Sequence, residues 1–232
     1  MLLKTCIGDR ALGWDLLPPG TPRHDYTDVK GNTYTYAGYG DSPSKWLKNQ
    51  TKPAPISWYA GAQWDGDIRN AKYILKHLTS DAANVWYPAL GGSATKYEIA
   101  GFFWWQGDKD SRDAGLSAAY EKNLVDFINV VRKTFNAPNA PFVTASLGQT
   151  ALGSTSGDGE ILNAMLNVGC NGVTQGAPTK CKYPAFKGNV AAVYTHPLMN
   201  TPSSSGGHYS HDAITYVRKG CRGWVKAVAK GG

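Results

Sequence analysis

The stretch that most constrains the fold is Tyr97–Asp113, YEIAGFFWWQGDKDSRD. Its run from Ile99 to Trp104 is apolar apart from a single Gly and too short for a helix core, so it is expected to form a strand buried on both faces. The run stops at Trp105-Gln106-Gly107-Asp108. An amide and a carboxylate thus arrive together at the strand's carboxyl end, where Gly107 lets the backbone turn. In open α/β sheets that end is where ligands bind. By spacing alone the same residues also read as an ordinary polar loop after a strand, and both readings stand at this point.

The flanking sequence supplies the rest of an alternating pattern. Trp64, Ile68, Ala71, Leu75 and Leu78 recur at three- and four-residue steps, which predicts an amphipathic helix over Gln63–Leu78. A second helix is expected over Ala114–Phe135, with Leu116, Tyr120, Leu124, Phe127, Ile128 and Val131 on one face and Asp113 or Ser111 as its cap. Pro141–Leu147 and Asn189–Thr195 read as strands, Glu160–Val168 and Asp212–Val228 as helices, and Leu2–Ile7 as a short strand ending at Gly8. Strands alternating with helices argue for a parallel sheet covered on both faces. Pro18–Pro55 is a long connection rich in turn formers. Its Tyr26, Tyr34, Tyr36, Tyr39 and Trp46 suit either stacking on sugar rings or pinning the loop to itself, and the second reading is adopted.

Charge and cysteine usage narrow the partners. The chain carries 24 basic against 17 acidic side chains, a net charge of +7, which could attract an anionic polymer. The basic residues are scattered without a run of four, so no nucleic-acid partner is expected. No apolar run approaches the ~20 residues that span a bilayer, and no membrane association is expected. The start MLLKTCIGDR lacks the apolar core of a signal peptide. Four cysteines show no C-x-x-C spacing. Cys170 and Cys181 flank a Gly-, Pro- and Thr-rich segment, leaving a disulfide and free buried thiols both open. His208-x-x-His211 lacks the intervening Glu of a metalloprotease pair, so no metal and no cofactor are expected.

Trp105-Gln106-Gly107-Asp108-Lys109-Asp110 resembles the W-x-Q-G-E-x-D block of SGNH (GDSL-like) hydrolases, in the sialate O-acetylesterase-like branch that includes carbohydrate esterase family six. The resemblance implies a three-layer α/β/α sandwich with a parallel central sheet and hydrolysis of acetyl esters on sugars. It gives Gln106 the role of side-chain donor to an oxyanion hole, with Asp108 standing where the family has Glu. L-L-K-T-x-x-G at the start resembles the family's second block, which makes the Gly8 N–H a second oxyanion donor. Asp9 occupies a position that is often a second Gly, so it is expected to point away or to be neutralised by Arg10. His208, followed by aromatic Tyr209 before the last helix, matches the catalytic base. Asp9, Arg10, Trp105, Asp108 and Tyr209 are the implied substrate-contacting residues.

Two positions depart from the family pattern. Ser205 replaces the Asp that relatives with a full triad carry three residues before the His. The nucleophile block G-x-S-N-M is not found, and the chain opens directly on the second block. The sequence is therefore expected to be a single domain over 1–232 that is truncated at its N-terminus, with Ser203, Ser204 and Ser205 the serines nearest His208. Its implied substrate is an acetylated carbohydrate or other small ester, and the resemblance favours a secreted or periplasmic location. Without a located nucleophile, activated acetyl esters are expected to be hydrolysed poorly. The competing reading is a catalytically inactive carbohydrate-binding or scaffold domain.

Overall fold

Two sheets organise the chain in the computed structural model, which describes residues 2–78, 97–170, 181–200 and 207–218. The first is antiparallel: β1 (His24–Thr27), β2 (Thr33–Tyr36) and β3 (Lys45–Leu47), in that order. The second is parallel: β4 (Phe102–Trp104), β5 (Phe142–Ala145) and β6 (Val190–Val193), with Phe102 opposite Phe142 and Phe142 opposite Val190. Among the described residues, helices α1 (Ala62–Leu78), α2 (Ala114–Thr134) and α3 (Gly157–Val168) accompany them. A parallel sheet with helices packed around it agrees with the SGNH-like α/β/α architecture.

The core follows from the helical and strand periodicities. Tyr120, Leu124, Phe127, Ile128 and Val131 on α2 meet Ile161, Met165 and Val168 on α3 over Trp104, Phe142 and Val190 of the sheet. Each large apolar side chain fully buried this way stabilises the fold by about 1.5–3 kcal/mol. Trp64 of α1 joins through the edge of Phe127, with ring centroids 5.3 Å apart. A second face of α3, Leu162 and Leu166, closes over Ala192 of β6. Asp113 caps α2 by accepting from the N–H groups of Gly115 (3.0 Å) and Leu116 (3.2 Å), which satisfies donors a helix start otherwise leaves bare. At the opposite end of the sheet, the buried Arg132 guanidinium donates to the carbonyls of Ala140 and Asn189, tying the entries of β5 and β6 together.

Three expectations are corrected here. Leu2–Ile7 is not a strand: it pairs with no neighbour among the described residues, and Leu2 and Ile7 are 73% and 58% exposed. An isolated extended segment leaves its backbone bonds to water and gains nothing from its apolar side chains. The strand expected over Ile99–Trp104 is confined to Phe102–Trp104, and Phe102 and Phe103 are only half-buried. Phe102 and Phe103 point to opposite faces and neither is fully buried, so burial on both faces does not hold. Pro18–Pro55 contains the whole antiparallel sheet. The aromatics there do pin the segment down, as adopted: Tyr36 is buried against Ala11 and Leu116, with Tyr26 and Tyr34 packed on that cluster.

The Cys170 and Cys181 alternatives resolve to a disulfide, with the two Cα atoms 4.7 Å apart. Cys221 and most of the helix expected over Asp212–Val228 lie outside the described residues, where helical backbone is seen over 213–218. Among the described residues no helix is long and apolar enough to cross a membrane.

Candidate active site at the carboxyl ends of the parallel strands

β4 delivers Trp105 and Gln106 to the carboxyl edge of the sheet, and the turn that follows depends on Gly107. Its φ of +153° and the approach of Ile161 Cγ2, 2.6 Å from where a Cβ would stand, exclude a side chain. Tyr120 fixes the strand end from α2. It accepts from Trp104 Nε1 (3.0 Å) and donates to the Gln106 carbonyl (2.8 Å), and its burial raises its pKa well above the ordinary tyrosine value.

Asp110 is the hub of this loop. It is fully buried and accepts from the backbone N–H groups of Leu12 and Gly13, both at 2.8 Å, and from Gln106 Nε2 at 2.6 Å. Loss of water pushes its pKa up to about 6 against the opposing pull of those donors. It joins the Gln106 loop to the segment after Gly8, nearly a hundred residues away in sequence. Asp110 is the last member of the W-x-Q-G-E-x-D-like block, where the resemblance gives it no role. Its spacing of four from Gln106 on one tight turn was the available signal.

The same contacts define what Gln106 is doing. Nε2 donates to the Arg10 carbonyl (2.8 Å) as well as to Asp110. A primary amide nitrogen has two hydrogens, and both are engaged. Donation to an oxyanion from this arrangement requires releasing one of them.

Gly8 is exposed and does not end a strand, which corrects the strand expected to stop there. It nevertheless lies two residues from Arg10, whose carbonyl receives Gln106. Asp9 has φ +59° and is paired with Lys109 at 3.1 Å, which holds its carboxylate below the ordinary range. The sequence left Asp9 either to point away or to be neutralised by Arg10. Arg10 instead pairs with buried Asp15 (3.0 Å) and lies 4.5 Å over the Trp58 ring. Asp15 also accepts from the Ala11 N–H, which makes it the stronger local anchor for that guanidinium. Asp108 is half-exposed and paired with Arg112 one helical turn on.

Trp105 and Tyr209 bring the turn that carries His208 to the same edge. Their rings stack with centroids 6.0 Å apart, and Tyr216 meets Tyr209 edge-on at 5.2 Å. The Tyr209 hydroxyl accepts from the Gly148 N–H just beyond β5 (3.2 Å), and burial raises its pKa. Tyr209, Ser210 and His211 all have positive φ, between 50° and 61°. Consecutive left-handed L-residues cost roughly 1–2 kcal/mol each and persist where packing over-determines them, as it does at Tyr209. The side chain of His208 and the residues Ser203, Ser204 and Ser205 lie outside the described residues.

Beyond β5 and β6 a knot of hydroxyls locks the two strand ends. The Thr195 N–H donates to Ser146 Oγ (3.0 Å) and Thr195 Oγ1 donates to the Ser146 carbonyl (2.7 Å). His196 follows directly, half-buried, with Nδ1 2.8 Å from the Gly148 carbonyl and its ring stacked on Tyr194. It was not singled out in the sequence, because a lone Thr-His-Pro has no spacing that marks it. Among the described residues no group of three or more His, Cys, Asp or Glu side chains is arranged to hold a metal.

Comparison with known proteins agrees with the block resemblance. Residues 89–175 match the family model described as carbohydrate esterase, sialic acid-specific acetylesterase. That span contains β4, the Gln106–Asp110 loop, α2, β5 and α3. No curated protein matches the chain significantly. The crystal structure of a protein from Arabidopsis thaliana is similar at 13% identity with a TM-score of 0.39, over 78% of this chain and 74% of that one. A likeness that loose carries no argument for fold or function.

Proposed function

We propose, from a chain whose residues 89–175 are sialate O-acetylesterase-like, that the protein is a hydrolase of acetyl esters on carbohydrate hydroxyls. The observation that carries this reading is the convergence of the family-matched Gln106 loop and the His208 turn on one end of the parallel sheet, through the stack of Trp105 on Tyr209. The reaction is acyl transfer. His208 takes the proton of an attacking serine oxygen and returns it to the leaving sugar alcohol. The Gly8 N–H and the Gln106 amide stabilise the oxyanion, Gln106 doing so by exchanging the Arg10 carbonyl for the substrate oxygen. Asp9, Arg10, Asp108 and Tyr209 frame the crevice and hold it in register rather than reacting.

The attacking oxygen belongs to the serine of a G-x-S-N-M block that this sequence does not contain or, for this chain itself, to a serine of the 203–205 run or to water. Removing the nucleophile from a serine hydrolase leaves roughly 10³–10⁴-fold acceleration over water, and turnover of that order is expected here. One observation favours the alternative of an inactive carbohydrate-binding domain: both Gln106 amide hydrogens are already engaged.

Release of acetate from an O-acetylated sialic acid and from 4-nitrophenyl acetate, for the wild type and His208→Ala, tests the proposal. Slow turnover that falls in His208→Ala supports it. Fast turnover lost both in His208→Ala and in one Ser→Ala variant supports it and identifies the serine. Turnover indifferent to both His208 and His196 favours the binding domain.

A further inference from the structure

A second imidazole stands at the same strand ends as the Gln106 loop, and its protonation is decided by what it touches. His196 Nδ1 lies 2.8 Å from the Gly148 carbonyl oxygen. A carbonyl only accepts, so Nδ1 carries the hydrogen, and in the neutral ring Nε2 is left with its lone pair. Nε2 has no hydrogen-bond partner among the described residues. The ring is held in place rather than left to rotate: Tyr194 stacks on it at 5.9 Å and 21°, and the Ser146–Thr195 knot fixes the backbone just before it.

Gly148 is the bridge to the rest of the site. Its carbonyl orients His196 while its N–H donates to the Tyr209 hydroxyl, and Tyr209 stacks on Trp105. A continuous line of contacts therefore runs across the carboxyl ends of β6, β5 and β4, from His196 through Gly148, Tyr209 and Trp105 to Gln106. An imidazole oriented through one nitrogen by a fixed acceptor, with the other nitrogen unoccupied, is the arrangement general-base catalysis requires.

We propose that His196 is a catalytic proton acceptor of this crevice, acting on the oxygen that attacks the acetyl ester. The inference rests on the esterase reading and adds a second imidazole to it. Where a serine attacks, His208 takes its proton as proposed above; where water attacks, one water proton passes instead to His196 Nε2 as the oxygen bonds to the acyl carbon. The tetrahedral intermediate then expels the sugar oxygen, which takes that proton from Nε2. The products are acetic acid and the free sugar hydroxyl, and His196 returns to its starting state.

The discriminating variant is His196→Asn, because the Asn amide nitrogen can still donate to the Gly148 carbonyl while the Nε2 acceptor is gone. Turnover of 4-nitrophenyl acetate and of an O-acetylated sialic acid is measured for the wild type, His196→Asn and His208→Asn, alongside thermal melts. The expected result is a kcat at least about 10²-fold lower in His196→Asn, with KM and melting temperature close to wild type. Wild-type kcat in His196→Asn, with turnover lost in His208→Asn, overturns the inference and leaves the esterase reading standing.

If the wild type turns over neither substrate, the esterase reading fails instead. The catalytic role of His196 falls with it, and whether its Nε2 faces a ligand is decided by a heteronuclear NMR titration of the imidazole signals with sodium acetate, whose carboxylate draws a proton onto an accessible Nε2. Shifts at His196 that disappear in His196→Asn uphold a ligand-facing Nε2, and unmoved signals overturn it.

Discussion

Replacing Asp110 by Asn tests whether loss of water or hydrogen bonding governs the buried hub of the site. Three N–H donors, from Leu12, Gly13 and Gln106, favour the ionised carboxylate. Complete burial opposes it and prevails, lifting the folded-state pKa from 3.8 to about 6. A folded pKa above the unfolded one means that the fold prefers the protonated acid. The stabilising contribution is therefore fully present below pH 3.8 and lost as pH rises through about 6. A rise of that size corresponds to ~3 kcal/mol.

Asn cannot titrate, and its NH₂ group confronts one of the three donors, which costs about 1–3 kcal/mol regardless of pH. Urea unfolding of both proteins from pH 4 to pH 8 isolates the titrating part, because other carboxylates cancel in the difference. The stability of wild type relative to Asp110→Asn should fall by about 2–2.5 kcal/mol between pH 4 and pH 7. A flat difference, or one that grows with pH, would refute the reasoning and show that the three donors outweigh burial.

Gly107→Ala places a Cβ 2.6 Å from Ile161 Cγ2 at φ +153°, and thermal melts should show a loss of about 2–3 kcal/mol. Cys170→Ser with Cys181→Ser removes the bridge found between α3 and the 181–200 segment. The urea midpoint should drop by the equivalent of about 2–3 kcal/mol, and reductant should produce the same shift in the wild type only. Asp113→Ala removes the α2 cap together with the partner of Tyr36 and Lys45, at a cost of about 1–2 kcal/mol near neutral pH. Burial pushes the Asp113 pKa up, but the bonds from Lys45 and Tyr36 outweigh it and leave the pKa below 3.8. Its contribution is thus present above pH 3.8 and lost in stronger acid, so equilibrium unfolding should show the gap between wild type and Asp113→Ala closing as pH falls.

Local periodicity was enough to place the helices. The steps from Trp64 to Leu75 and from Leu116 to Val131 are set by 3.6-residue geometry, and α1 and α2 appear within a residue or two of where those steps put them. The Asp113 cap was equally legible, because capping is a contact between near neighbours. The Gln106 block was visible as a polar stop after an apolar run. Strand partners were not: Leu2–Ile7 has a strand's composition, yet only a neighbour at the right distance makes a strand, and none is present among the described residues. The short alternations HDYT and TYTY of the antiparallel sheet were hidden among turn formers, where pairing across a hairpin decides the outcome.

The chemistry of the site divides the same way. Residue types at Gln106, Gly8 and His208 can be named from the chain, since a motif is a local pattern. Which donors Asp110 satisfies, which acid holds Arg10, where Asp9 finds Lys109 and which nitrogen of His196 bears the proton all depend on atoms brought together across 5 to 100 positions of sequence. Hydrogen bonding and desolvation act over a few ångströms of space whatever the separation along the chain, so only the folded arrangement decides them.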